Sequence, residues 1–244
     1  MTHPQLSERH LSLLGQYDTP TICNAIELFD VRPRNTGYMD ARIRACFPEM
    51  PPVVAYAATA TFRGALERAD ALAYATLDEQ VRRFAELPGP PIVVFQDLDD
   101  PPVAATFGEI MCSTYQRFVA LGLVTSGAAR DLDQVRRLGF PVFASGAISA
   151  HGYSRIQSLH VPVRVGGLAV YPGELLHADL NGVTSIPLEI AADVADVAAE
   201  YVAAEAVVLD FIKTGSRDVN QYAAARREML HRIEQLGKRV QSRR

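Results

Sequence analysis

The segment from Phe107 to Gly146 reads FGEIMCSTYQRFVALGLVTSGAARDLDQVRRLGFPVFASG and alternates between two patterns. Apolar residues at helical spacing fill Glu109–Leu121, and the short apolar run Leu123–Ser126 is typical of a buried strand. The same pair then repeats, as a helix over Leu132–Leu138 and a strand over Pro141–Ala144. This alternation of strands and helices predicts an α/β fold.

The remainder of the chain divides into further predicted elements. We expect helices from about Pro20 and over Leu66–Leu87, strands over Val53–Phe62 and Ile92–Phe95, and a meander of short strands over Val161–Pro187. From Leu188 to Arg244 the chain is rich in Ala and Glu and has a helical period, with a break near Thr214–Ser216. The sequence therefore predicts a helical region at the C-terminal end.

One predicted turn offers donors for an anion. Gly108 and Glu109 open the helix that follows Phe107. The backbone N–H groups of Ile110 and Met111 then belong to the first helical turn, where no carbonyl of the same helix can accept their hydrogen bonds. Such a helix start can bind a carboxylate or a phosphate.

The next strand-to-helix turn carries Arg130 and Asp131, and Arg130 follows 21 residues after Glu109. Since α/β proteins bind ligands where strands lead into helices, the two turns together predict a site with a guanidinium and two carboxylates. Each residue also has a structural interpretation. Asp131 can cap its helix together with Gln134, Arg130 can pair with a surface acid, and Glu109 can complement a helix dipole.

Composition excludes several classes of function. The chain has 24 basic and 28 acidic residues, a net charge of −4, so we expect neither nucleic acid nor a membrane as its partner. Its three cysteines are far apart, which argues against a disulfide scaffold and favours the cytoplasm. Sequence motifs of nucleotide-binding loops, zinc proteases and serine hydrolases are absent. Lys213 and Lys238 are the only lysines, which disfavours a Schiff-base mechanism.

Two blocks of the chain resemble the RraA-like family. They are Phe107–Gly146 and VPVRVGGLAVYPGELLHADLNGVTSIP over Val161–Pro187, with looser similarity over Thr19–Glu27 and Ala57–Phe62. The family includes metal-dependent 4-hydroxy-4-methyl-2-oxoglutarate and 4-carboxy-4-hydroxy-2-oxoadipate aldolases and the regulator of ribonuclease E activity. The resemblance implies a swivelling β/β/α domain over residues 1–190, a helical extension over 191–244, and a homotrimer or hexamer with active sites between subunits.

The resemblance also implies roles for individual residues. In such aldolases the Asp of an Arg-Asp pair binds a divalent ion directly, which implies this role for Asp131. Glu109 would bind the ion, Mg²⁺ or Mn²⁺, through water, and a neighbouring subunit would supply a further acid. For this acid we select Glu205, with Glu200 nearby in the sequence as the alternative. Arg130 would contact the pyruvyl oxygen, while the loop with Gly108 and the amides of Ile110 and Met111 would bind the substrate carboxylate.

Three positions depart from the family pattern, in which Asp is common. The chain has Glu109, Ser126 and Asn24 at these positions. The resemblance predicts a lyase that cleaves a small 4-hydroxy-2-oxo acid to pyruvate, with oxaloacetate decarboxylation as a side activity. A water polarised by the acids would take the proton of the C4 hydroxyl. The alternative is a non-catalytic regulator that binds a ribonuclease or another protein, for which the basic segment Arg226–Arg244 is the candidate surface.

Overall fold

The computed structural model describes residues 6–67 and 75–242. By its contacts the chain divides into two units. We call Gly37–Pro187 the sheet unit, and Met1–Thr36 together with Leu188–Arg244 the helical unit. The expected boundary at residue 190, between a swivelling domain and a helical extension, stays a prediction.

The described strands all belong to the sheet unit. They are β1 (Arg44–Ala45), β2 (Val53–Arg63), β3 (Pro91–Asp97), β4 (Ala105–Phe107), β5 (Gly122–Thr125), β6 (Ala128–Ala129), β7 (Val142–Ala144), β8 (Gly146–Ala147), β9 (Arg155–Leu159), β10 (Val163–Val165), β11 (Leu168–Val170), β12 (Leu175–Asp179) and β13 (Gly182–Ile186). The helices are α1 (Glu8–Leu14), α2 (Thr19–Glu27), α3 (Leu77–Arg82), α4 (Glu109–Arg117), α5 (Leu132–Leu138), α6 (Ala191–Lys213) and α7 (Val219–Gln241).

The main sheet has the strand order β1-β7-β5-β3-β2-β12-β13, and β9 also pairs with β2. Strands β2, β3, β5 and β7 run parallel to their neighbours in this set. Both faces of the parallel part are covered, because Val93 and Phe95 of β3 pack into one core while Ile92 and Val94 pack into the other. A strand buried on both faces has a continuous apolar sequence, which explains the uninterrupted run in β3.

A small second sheet carries the charged turns. Its strands β4, β6 and β8 lie side by side in this order and are all parallel. Ala128 of β6 pairs with Ala105 on one side and with Gly146 on the other. The carboxyl ends of three strands therefore meet at one edge.

The helical unit contains the predicted C-terminal helical region. Helix α6 ends at Lys213 and α7 begins at Val219, so the predicted break near residue 215 is confirmed. The Asp218 carboxylate caps α7 by accepting the N–H groups of Asn220 and Gln221. Arg239 of α7 forms an ion pair with Glu200 of α6. None of the helices in the described ranges is long and apolar enough to cross a membrane.

The α/β prediction is confirmed, but one helix is shorter than expected. In place of a helix over Leu66–Leu87, the structure has α3 and a 3-10 turn at Arg83–Glu86. The physical reason is a capping box, in which the side chains of Thr76 and Glu79 each accept the other's backbone N–H and start the helix at Leu77. Residues 68–74 of the predicted helix lie outside the described residues.

Candidate active site

The candidate site lies at the carboxyl edge of the small sheet. Strand β4 leads through Gly108 into α4, and β6 leads directly into Arg130 and Asp131. The residues predicted from the two turns are therefore brought together. This is the edge at which parallel strands present ligand-binding loops.

The Asp131 carboxylate reaches across to the start of α4. Its Oδ2 accepts a hydrogen bond from the Glu109 backbone N–H at 3.0 Å. The interpretation of Asp131 as a side-chain cap that forms a capping box with Gln134 is wrong, because the Asp131 side chain makes no capping bond to α5. Its backbone is left-handed, with φ of 54° and ψ of 37°, an uncommon conformation for a non-glycine residue. Asp131 thus joins the two turns.

Arg130 lies beside this carboxylate. Its Nε is 3.8 Å from Asp131 Oδ2, and both side chains are one-third exposed. Gly108 makes the arrangement fit, since a Cβ there would overlap the Asp131 carboxylate and lie 3.0 Å from Arg130 Nε. The charged pair therefore packs directly on the backbone that starts α4.

A depression of about 60 Å³ opens at this point. Residues from all three loops line it, with Gly108, Ile110 and Met111 from the first, Arg130 from the second, and His151 and Ser154 from the third. Within the described ranges no acceptor is present for the N–H groups of Ile110 and Met111. With the positive end of the α4 dipole and the Arg130 guanidinium, these groups favour an anionic ligand.

The carboxylates of Asp131 and Glu109 supply only part of the ligand set that a hard cation needs. Among residues 6–67 and 75–242 no three His, Cys, Asp or Glu side chains form a metal-binding cluster. Asp131 Oδ1 has no hydrogen bond in that part of the chain, and Glu109 is exposed in the first turn of α4. Carboxylate oxygens suit Mg²⁺ or Mn²⁺, which keep several water ligands. The residues therefore fit an ion that takes one or two ligands from this chain.

Glu205, the predicted acid of a neighbouring subunit, lies on α6 in the helical unit. Its side chain is partly buried. Burial raises the pKa of its carboxyl, and the negative charge of Asp18 raises it further. Its assignment to a metal ligand set stays a prediction.

Sequence reasoning missed His151 and Ser154, since isolated histidines are more often structural than catalytic. A signal for them exists only in the topology, because their loop follows β8, the third parallel strand of the small sheet. Strand β8 has only two residues, Gly146 and Ala147, and its sequence has no strand pattern.

Asp97 is a further acid with an unusual environment. It ends β3, is 8 % exposed, and accepts the Asp99 N–H on Oδ1 at 3.0 Å. Its Oδ2 is buried with no partner in the described part of the chain, and it packs against Gly127 in the loop that leads to β6. Burial raises the pKa of Asp97 to about 6.

The pKa of Asp97 predicts a pH-dependent stability. Between about pH 4 and pH 6 the folded chain holds this proton more tightly than the unfolded chain, so the Asp97 contribution to stability falls as pH rises through this range. Asp97→Asn removes this titration. We expect Asp97 to lower the free energy of unfolding of the unmutated chain by about 2 kcal/mol between pH 4 and pH 7, and we expect this decrease to be absent in the variant. Urea unfolding at both pH values measures it. An unchanged pH dependence in Asp97→Asn, or the same change in the exposed control Asp133→Asn, would contradict it.

Gly108→Ala tests how closely the pair must pack on the backbone. Gly108 has φ of −154°, which alanine also adopts, so the added Cβ acts by displacing the Asp131 carboxylate. If the site is catalytic, we expect kcat/KM to fall about a hundredfold or more with little loss of stability, because misplaced groups are costly in catalysis. Gly146→Ala in β8 is the matched control, since its Cβ would meet nothing within 4 Å. Equal activities of the two variants would contradict the packing requirement.

A family model described as RraA-like (Aldolase/RraA) matches residues 19–184. A protein of Halalkalibacterium halodurans provisionally named 4-hydroxy-4-methyl-2-oxoglutarate aldolase is 34 % identical over 101 residues, which cover 41 % of this chain and 47 % of that protein. The chain thus spans less than half of the length of this curated relative.

Two solved structures share the fold. An uncharacterised protein of Pseudomonas syringae has a TM-score of 0.72 at 21 % identity, with 93 % of this chain and 96 % of that chain covered. Streptomyces coelicolor RraAS2, titled an unusual member of the RNase ES inhibitor RraA protein family, has a TM-score of 0.67 at 21 % identity, with 83 % and 96 % covered. Since the family model covers well over half of its residues, the chain belongs to the RraA-like family.

Proposed function

We propose that the chain is a divalent-metal-dependent pyruvate aldolase. It cleaves a 4-hydroxy-2-oxo acid such as 4-hydroxy-4-methyl-2-oxoglutarate and decarboxylates oxaloacetate as a side reaction. The observation that carries the proposal is the bond between the Asp131 carboxylate and the Glu109 N–H, with the Arg130 guanidinium beside it. Family membership and the name of the Halalkalibacterium halodurans relative support the same reaction class.

The donors of the depression match the pyruvyl half of such a substrate. The N–H groups of Ile110 and Met111, which have no acceptor within the described ranges, bind the 1-carboxylate, which the positive end of α4 also attracts. Arg130 donates to the 2-oxo oxygen, where negative charge develops when the C3–C4 bond breaks. Its planar guanidinium can contact that oxygen and still face the Asp131 carboxylate.

The carboxylates of Asp131 and Glu109 would hold the ion. Asp131 would bind Mg²⁺ or Mn²⁺ directly, and Glu109 would contact its water ligands. When bound, the ion supplies Lewis-acid stabilisation of the enolate charge. The Glu109 N–H keeps the Asp131 side chain in one orientation, so the ligand is positioned before the ion arrives.

The site needs more than one copy of the chain. A depression of about 60 Å³ is small beside the several hundred Å³ of an ordinary ligand cavity. A homotrimer or hexamer in which Glu205 of another copy supplies the third acid would enlarge and complete it. These oligomers, like the cytoplasmic location, are part of the proposal.

Pyruvate release by the purified full chain tests the function. We expect release from both 4-hydroxy-4-methyl-2-oxoglutarate and oxaloacetate with Mg²⁺ or Mn²⁺, loss of release with EDTA, and no release by Asp131→Ala. Failure of the folded protein to turn over either compound with metal present would overturn the proposal and favour the non-catalytic regulator. Pull-down of a ribonuclease by the same preparation would then test that alternative.

A further inference from the structure

The loop after β8 is hydrogen-bonded to both other strands of the small sheet. The Ile148 N–H donates to the Ala129 carbonyl at 3.0 Å, and the Ala150 carbonyl accepts the Ala105 N–H at 2.8 Å. The loop is therefore bonded to both β6 and β4, the strands that lead into the other two loops. His151 follows immediately and lines the depression together with Arg130.

Gly152 fixes the backbone beside this histidine. It has a φ of 50°, and a Cβ there would lie 2.7 Å from the Gly64 carbonyl oxygen and 2.9 Å from the Ala104 Cβ. Both the positive φ and the close contact require glycine. The Gly152 carbonyl is thus held in place, and His151 Nδ1 lies 2.7 Å from its oxygen.

This contact determines the tautomer of His151. A carbonyl oxygen can only accept a hydrogen bond, so Nδ1 carries the hydrogen and donates it. In the neutral ring Nε2 then has a free lone pair, and it has no hydrogen-bond partner within the described ranges. Among the described side chains that line the depression, only His151 can readily accept a proton, because Arg130 is always charged and a serine hydroxyl is a weak base.

We infer that His151 is a catalytic residue of this site and that its Nε2 takes the proton of the substrate's C4 hydroxyl. The inference rests on the proposed function and replaces the water expected from the sequence as the base. His151 lines the same depression as Arg130 and the start of α4, the groups proposed to bind the pyruvyl end, so it belongs to the surface available to the rest of the substrate.

The proton transfer balances as follows. The hydroxyl proton moves to Nε2, and the electron pair of the O–H bond becomes the second bond of the new carbonyl at C4. The C3–C4 bond breaks, and its electron pair forms the enolate of pyruvate. The imidazolium then returns the proton to C3, which gives pyruvate and a neutral histidine.

Oxaloacetate separates this role from a structural one. Its departing carboxylate carries no proton, so decarboxylation breaks the carbon–carbon bond without a base. The electron pair of that bond forms the enolate, CO₂ leaves, and C3 takes its proton from solvent water, because His151 gains none in this reaction. We expect His151→Gln to lower kcat for cleavage of 4-hydroxy-4-methyl-2-oxoglutarate about a hundredfold or more. Its oxaloacetate decarboxylation should stay within about threefold of the unmutated chain, because the enolate-stabilising groups are intact. Added imidazole should partly restore cleavage by His151→Ala.

The control is His231→Gln on α7, which should change neither reaction. An equal loss of both reactions in His151→Gln, or unchanged cleavage, would overturn the role of His151 while leaving the proposed function standing. Absence of both reactions in the unmutated chain would instead overturn the proposed function, and the role of His151 with it.

Discussion

Asp131→Asn is expected to lower kcat for pyruvate release by about a hundredfold to a thousandfold, the size of effect seen when a charge-stabilising group is lost. An amide oxygen can still accept the Glu109 N–H, which the carboxylate now accepts at 3.0 Å. The turn therefore keeps its geometry while the negative charge that attracts a cation is removed. Asp131→Asn thus removes the charge and keeps the side chain in place, whereas Gly108→Ala keeps the charge and displaces the Asp131 carboxylate.

Two measurements check this expectation. Pyruvate release gives the rate, and calorimetric titration with Mn²⁺ alone gives the affinity for the ion without any turnover. Asp133→Asn is the matched control, since Asp133 lies in the first turn of α5, the helix that follows Asp131, and its side chain is 80 % exposed. Unaltered Mn²⁺ affinity in Asp131→Asn would show that Asp131 is not a ligand, whatever happens to the rate.

The meeting of the two charged turns could be predicted from the sequence, because Glu109 and Arg130 lie at successive turns into helices of an α/β pattern. The strands β4 and β6 that bring these turns together could not be predicted, since they have only three and two residues. The bond between Asp131 and the Glu109 N–H could not be predicted. The local pattern of Asp131 and Gln134 favours a capping box, but the left-handed backbone at Asp131 turns its carboxylate to the neighbouring helix.

Other features depend on contacts between distant segments. His151 lies at the site because the carbonyl of Ala150 accepts a hydrogen bond from the N–H of Ala105. These residues are 45 positions apart, and no local sequence pattern predicts their contact. The raised pKa of Asp97 likewise comes from packing, because the sequence shows only an acid after a buried strand. In an α/β fold, strand periodicity locates the edge of the sheet, while burial and loop contacts decide which polar side chains matter there.

Arg130→Lys should lower kcat/KM about a hundredfold or more for both 4-hydroxy-4-methyl-2-oxoglutarate and oxaloacetate. Lysine keeps the positive charge but loses the planar set of N–H donors. Arg130 stands 3.8 Å from the Asp131 carboxylate and packs on Gly108, so a flexible ammonium cannot occupy the same position. Both reactions pass through the same enolate, and both should therefore fall by the same factor.

That equal loss distinguishes Arg130 from His151, whose replacement should affect cleavage alone. Arg136→Lys is the control, because Arg136 pairs with Glu49 and Asp133 on the exposed side of α5 and lies outside the depression. Initial rates with each substrate at saturating Mg²⁺ measure the effect. Activity of Arg130→Lys within about threefold of the unmutated chain would exclude the guanidinium as the group that stabilises the enolate oxygen. A loss confined to cleavage would contradict the contact with the enolate oxygen and indicate that Arg130 contacts the C4 end of the substrate.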